Sequence, residues 1–235
     1  MSAIDYFKEV YGQVPNWVQV MHDYNPKMLE YYTQFRSEAF KTDVLTDVEK
    51  DVLIAAVNAG KLYDRTMVAH TEAGTIKGLT FEELVEYFLV SYVYGGFKSL
   101  EISLKAIAAH LQLADGIKFE IKPTYQSVEE ILEEIIKQTP TKNHSFLQKV
   151  LNGLNEGELV RDLIFEKGFV TKEKKYVAYV GMYITEMRGK DAEQAIVEAK
   201  ANGVTDAELV DLGFVIIFTA GIPTWFELSD HLDTK

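Results

Sequence analysis

The feature that most constrains this chain is that it matches itself. Sliding the sequence along itself by 125 residues sets Pro15 on Pro140, Phe40 on Phe165, Thr46 on Thr171, Lys50 on Lys175 and Val52 on Val177, with no gap. Gly78-Leu79-Thr80 then falls on Gly203-Val204-Thr205, Glu83-Leu84-Val85 on Glu208-Leu209-Val210, and Gly96 on Gly221. From Thr46 to Phe97, ten of 52 positions are identical, where ordinary residue usage gives roughly three. A fixed internal period means one structural unit used twice. The chain therefore reads as a tandem duplication, with repeats at 1–118 and 119–235. Asp115-Gly116 and Pro123 supply chain breakers at the joint.

The repeated unit reads as helical. Ile4, Phe7 and Tyr11 recur at i, i+3, i+7, and Leu100, Leu104, Ile107 and Leu111 form a further apolar stripe. Thr46 with Glu49, and Thr80 with Glu83, have the spacing of capping boxes, in which each side chain satisfies an orphan N–H of the first turn. The helix after Thr46 carries Val48, Val52, Ala55, Ala56 and Ala59 on one face. The acids Glu129, Glu130, Glu133 and Glu134 form the solvated face of a helix whose other face is Ile131, Leu132, Ile135 and Ile136. Clear alternation occurs only at 117–122, which predicts a short extended connector, since a lone strand needs a partner. The expected fold class is all-α. Segments 84–94 and 209–218 are apolar nearly all round, so each must be covered on every side. Packing one repeat on the other, and one chain on another, meets that need.

Composition removes several function classes. The chain has no cysteine, which excludes disulfides, zinc–thiolate sites and thiol nucleophiles. Its formal charge of −12 repels phosphate backbones and anionic membranes, so neither nucleic acid nor membrane is an expected partner. No signal peptide or membrane-spanning run is seen, and the expected setting is the cytoplasm. No metal-ligand spacing involves His22, His110, His144 or His231, and no glycine-rich phosphate loop occurs, so no metal or other cofactor is expected.

The first repeat also carries an ordered set of residues. It runs Leu45-Thr46-Asp47-Val48-Glu49-Lys50-Asp51-Val52, then Tyr63, Thr66 and His70, then Gly78-Leu79-Thr80 with Glu82-Glu83-Leu84, and closes on Tyr94-Gly95-Gly96-Phe97. This set resembles the carboxymuconolactone decarboxylase and alkylhydroperoxidase D-like superfamily. The resemblance implies an all-α oligomer, with a trimer favoured, and a histidine that moves protons on a small organic acid or lactone. In the peroxidase branch two cysteines precede that histidine. Their positions here are Tyr63 and Thr66, which cannot cycle between thiol and disulfide. The decarboxylase branch lacks the thiols but has a glutamate where this chain has Thr66.

By this resemblance, His70 and Asp51 are the expected catalytic pair. Asp51 stands where the peroxidase branch has a proton-relaying acid, and Asp64 is the alternative acid. Tyr63, Thr66 and His70 fall at i, i+3, i+7 and share one helix face, which either faces water or lines a pocket. Arg65 can hold a substrate carboxylate or simply pair on the surface. Tyr94 either lines the pocket or ends its helix. In the other repeat, Ala195 stands at the position of His70, Tyr176 at that of Asp51 and Arg188 at that of Tyr63, so that repeat reads as a structural partner. The runner-up reading is a non-catalytic binding or assembly relative.

Overall fold

The computed structural model describes residues 2–41, 44–140 and 142–232, and it is all-α; among these residues no strand forms. An N-terminal arm comprises α1 (Ala3–Tyr11), α2 (Asn16–Tyr24) and α3 (Pro26–Ala39). The next four helices are α4 (Asp47–Gly60), α5 (Asp64–Ile76), α6 (Phe81–Gly95) and α7 (Phe97–Ala114). After the extended 117–122 segment come α8 (Val128–Gln138), α9 (Ser145–Glu156) and α10 (Val160–Phe165). The chain ends with α11 (Lys172–Thr185), α12 (Lys190–Ala201), α13 (Asp206–Ala220) and α14 (Pro223–Ser229).

The expected caps form. Thr46 and Thr80 each accept the N–H of the glutamate three residues on, and that glutamate reaches back to the cap N–H. Thr205 with Glu208 repeats the full box, and Thr171 accepts from Lys174. The bounds of α4 and α11 differ by 125 residues at both ends, as do those of α6 and α13. A left-handed residue follows α4 and α11 at the same offset, at Leu62 (φ 58°) and Met187 (φ 53°).

The central helix α4 is buried on all sides from Lys50 to Ala59, rather than on the single face its pattern suggests. It is enclosed by α5, α6, α11 and α13. One apolar cluster runs from Leu45 to Leu228 and draws on both halves of the chain. The all-round apolar α6 is covered inside this single chain: Leu84 to Ser91 are all buried. A second copy is therefore not needed to cover it.

Two buried ion pairs tie the halves together, and each lysine finds its acid in the opposite half. Lys50 Nζ lies 3.1 Å from Asp211, and Lys175 Nζ lies 2.8 Å from Glu86. Asp211 also accepts the N–H of Leu45 at 2.9 Å, while Glu86 accepts those of Phe169 at 2.8 Å and Val170 at 3.1 Å. Lys50 donates to the carbonyl of Lys41, as Lys175 does to that of Glu166. Every partner in one network stands 125 residues from its counterpart in the other. The charges are desolvated but fully paired, which is the condition under which buried ions are tolerated.

The N-terminal arm has a small core of its own, built on Phe7, Val18 and Leu29. It docks through α1 on α5 and through α3 on α13. That placement creates the cavity described next.

Candidate active site

A cavity of about 560 Å³ opens between the arm, α5 and α13. The first repeat contributes Ile54, Tyr63, Arg65, Thr66, Ala69, His70 and Glu72. Aromatic cover comes from elsewhere: Tyr11, Trp17 and Tyr32 from the arm, and Phe218 from α13. The wall is thus mostly apolar, with a few convergent polar groups, the usual make-up of a small-molecule site.

His70 sits on the buried side of α5. Its Nδ1 lies 2.7 Å from Asp51 Oδ1 across the α4–α5 contact. Lys77, just beyond the end of α5, places Nζ 2.7 Å from Asp51 Oδ2. Both oxygens of Asp51 are therefore engaged. An ionised carboxylate only accepts hydrogen bonds, so His70 carries its proton on Nδ1. Nε2 is left with a free lone pair and no protein partner, on a residue that lines the cavity. The Tyr11 ring stands edge-on to the imidazole at 6.5 Å and the Phe40 ring stacks at 6.4 Å, fixing its plane.

The electrostatics suit proton transfer. Burial pushes the His70 imidazole below its ordinary value, and this outweighs the opposing pull of Asp51. For Asp51, burial acts upward, but the hydrogen bond and charge of His70, with Lys77 and Arg36, hold the carboxyl below the usual range. The pair at neutral pH is a carboxylate and a neutral imidazole, the protonation state of a general base. Burial also pushes the Tyr11 hydroxyl up to about 12, so it remains protonated.

The sequence-based candidates divide clearly. His70, Tyr63, Thr66 and Arg65 come together on the cavity wall. Asp51 is fully buried against His70 rather than solvated at the helix start. Five residues into α4, it lies past the exposed first turn and faces α5. Asp64 points the other way and pairs with Lys105 at 2.6 Å, so it is not the acid partner of His70. Tyr94 is not among the residues that line this cavity. At the far end of α6, its ring packs edge-on against Tyr183 at 4.9 Å and lies close to Gly60. Arg65 is exposed, and among the described residues its guanidinium makes no ion pair.

Sequence reasoning missed Lys77, Arg36 and the aromatic cover. Lys77 has Asn202 at its matched position, so the repeat carries no signal for it. Arg36 falls on Arg161 at the same 125-residue offset, a match that could have drawn attention to it. The cover comes from segments outside the ordered set and could be found only in three dimensions. Among the described residues no cluster of metal-ligating side chains occurs, and no helix is long and apolar enough to cross a membrane.

The architecture is that of the carboxymuconolactone decarboxylase-like, all-α fold. The chain superposes on a crystal structure from Burkholderia xenovorans LB400, provisionally described as a gamma-carboxymuconolactone decarboxylase subunit, with a TM-score of 0.56 and 16% identity. The match covers 97% of this chain and 95% of that one. No protein-family model matches the sequence, and no curated protein does.

Proposed function

We propose that this chain is a carboxymuconolactone decarboxylase-like enzyme in which His70 transfers a proton on a small organic acid or lactone. The observation that carries this reading is the buried Lys77–Asp51–His70 relay, which leaves Nε2 free on the wall of an aromatic cavity. Asp51 is a positioning residue: it fixes the tautomer and stabilises the imidazolium once formed. Lys77 holds the second oxygen of Asp51 and keeps that carboxylate ionised.

In the decarboxylation reading, the bond to the leaving carboxylate breaks, carbon dioxide departs, and the electron pair stays on the substrate carbon. That carbon takes from Nε2 a proton that the neutral imidazole has first accepted from the substrate's carboxyl group, so His70 begins and ends the cycle neutral. A dithiol peroxidase mechanism finds no support, because the chain has no sulfur nucleophile and Tyr63 and Thr66 occupy the two thiol positions.

A tandem duplication with one chemically competent copy is part of the same proposal. The shared helix bounds and the reciprocal ion pairs support it. So is self-association, favoured as a trimer; the neighbouring fold described as a subunit supports it, and a monomer mass by light scattering at micromolar concentration would exclude it. The test of function is turnover of 4-carboxymuconolactone and related lactone acids by wild type and His70→Gln. Loss of an acid–base group should lower kcat by about 10²–10⁴-fold while the fold is kept. A wild type inactive on the whole panel would favour a binding module instead.

A further inference from the structure

Arg36 is a deeply buried large side chain with unmet hydrogen-bonding capacity among the described residues. It is 1% exposed, and neither Nε nor Nη2 has an acceptor among the described residues. Its guanidinium lies 4.0 Å from the Phe40 ring centre, 5.8 Å from that of Tyr11 and 6.0 Å from that of Phe218. Phe40 and Tyr11 are also the rings that hold His70, and Tyr11 and Phe218 line the cavity. Arg36 thus stands one ring layer behind the wall that carries His70. Cation–π contact offsets part of the desolvation of a guanidinium, but its donors still call for an anion.

The other repeat shows what such an arginine takes. Arg161, at the matched position, lies over the Phe165 ring at 5.0 Å, as Arg36 lies over Phe40. Arg161 Nη2 donates to both oxygens of Glu198, at 2.7 and 2.8 Å, and the Tyr176 hydroxyl donates to the same carboxylate at 3.1 Å. Glu198 is matched in the first repeat by Ala73, which has no carboxylate to give. The inner charges of the first repeat confirm a deficit. Arg36 and Lys77 face the single buried carboxylate of Asp51, and Asp47, 3.7 Å from Lys77, lies at the half-exposed outer edge.

We infer that Arg36, not the exposed Arg65, is the carboxylate-binding group of the His70 cavity, and that the ligand is a planar or cyclic organic acid whose carboxylate takes the role Glu198 plays in the other repeat. Tyr11 is the gate to it. It is the last residue of α1, its ring lies between Arg36 and the cavity, and a carboxylate reaches the guanidinium only when that ring turns aside. The aromatic wall selects the body of the ligand, and the guanidinium fork selects its planar anion.

This inference rests on the proposed function for its substrate class, but binding tests it separately from turnover. The probes are benzoate and its neutral isostere benzamide, read by calorimetry and by thermal shift. Wild type should bind benzoate saturably and rise in Tm, with benzamide at least tenfold weaker. Arg36→Met should lose at least tenfold in benzoate affinity, and Arg65→Met should lose less than threefold. If Arg36→Met fails to fold, Arg36→Lys, which keeps the charge but loses the fork, should still weaken benzoate severalfold. Equal binding of benzoate and benzamide would overturn the inference, as would no saturable benzoate binding, or a loss that follows Arg65 rather than Arg36. Carboxylate binding through Arg36 in a protein that turns over no lactone acid would sink the enzymatic reading and leave this one standing.

Discussion

The α4–α5 contact and the α11–α12 contact, which stand 125 residues apart in the chain, differ in what fills their centre. In the first, Asp51, His70 and Lys77 form a buried relay beside an open cavity. In the second, the matched residues are Tyr176, Ala195 and Asn202, and the space is closed by Arg161, Glu198 and Tyr176 bonding to one another. Around both centres the scaffold is the same: the capping threonines, the left-handed residue after the first helix of the pair, and the lysine that crosses to an acid in the opposite half. The two regions share the groups that hold the scaffold and differ in the side chains at their centres. In the second region Arg161 already holds a carboxylate of this chain, whereas Arg36 Nε and Nη2 hold none among the described residues.

The largest effect that tests this contrast is on stability, and it should be the same on both sides. Lys50→Met and Lys175→Met each leave a buried carboxylate without its cation, and each should cost about 3–5 kcal/mol, within about 1 kcal/mol of each other. Urea denaturation of the two variants measures this. A large cost at one site and none at the other would break the symmetry of the seam.

A second effect, in pH dependence, should belong to the first repeat alone. His70 is held below its ordinary 6.5, so the unfolded chain takes up a proton near that pH while the folded chain resists. Stability should be flat above about pH 6.5 and fall as the pH drops below it, until His70 itself protonates in the folded state. Asp51, also held low, adds a further loss below its ordinary 3.8. His110 is lowered by burial and acts in the same direction as His70. The measurement is therefore the difference between wild type and His70→Gln: Tm against pH between 7 and 5 should fall less steeply in the variant. Equal slopes would show that His70 is not a buried neutral base.

The smallest effect should come from the closed copy. Arg161 and Glu198 are each about one-third exposed, so Glu198→Gln should cost about 1 kcal/mol or less. The variant should leave lactone-acid turnover unchanged, because that pair lies outside the relay. A loss of turnover comparable to that of His70→Gln would place chemistry in both copies.

The sequence alone was enough for the helical class and the helix starts at Thr46 and Thr80. These depend on local spacing and on caps formed within four residues of chain, which a sequence displays directly. It also placed Tyr63, Thr66 and His70 on one face, because the helical period fixes which residues share a side. The burial of Asp51, the partner of Lys77, the unpaired donors of Arg36 and the displacement of Tyr94 from the site were decided only by tertiary packing. Asp51 and His70 are 19 residues apart, and Phe218 and Arg36 are 182 apart. Such pairs meet only because α4 is wrapped on every side and the arm folds back over α5 and α13. A charged residue in the first turns of a helix reads as solvated until the neighbour that buries it is known. Here that neighbour makes the difference between a surface acid and a buried carboxylate held by His70 and Lys77.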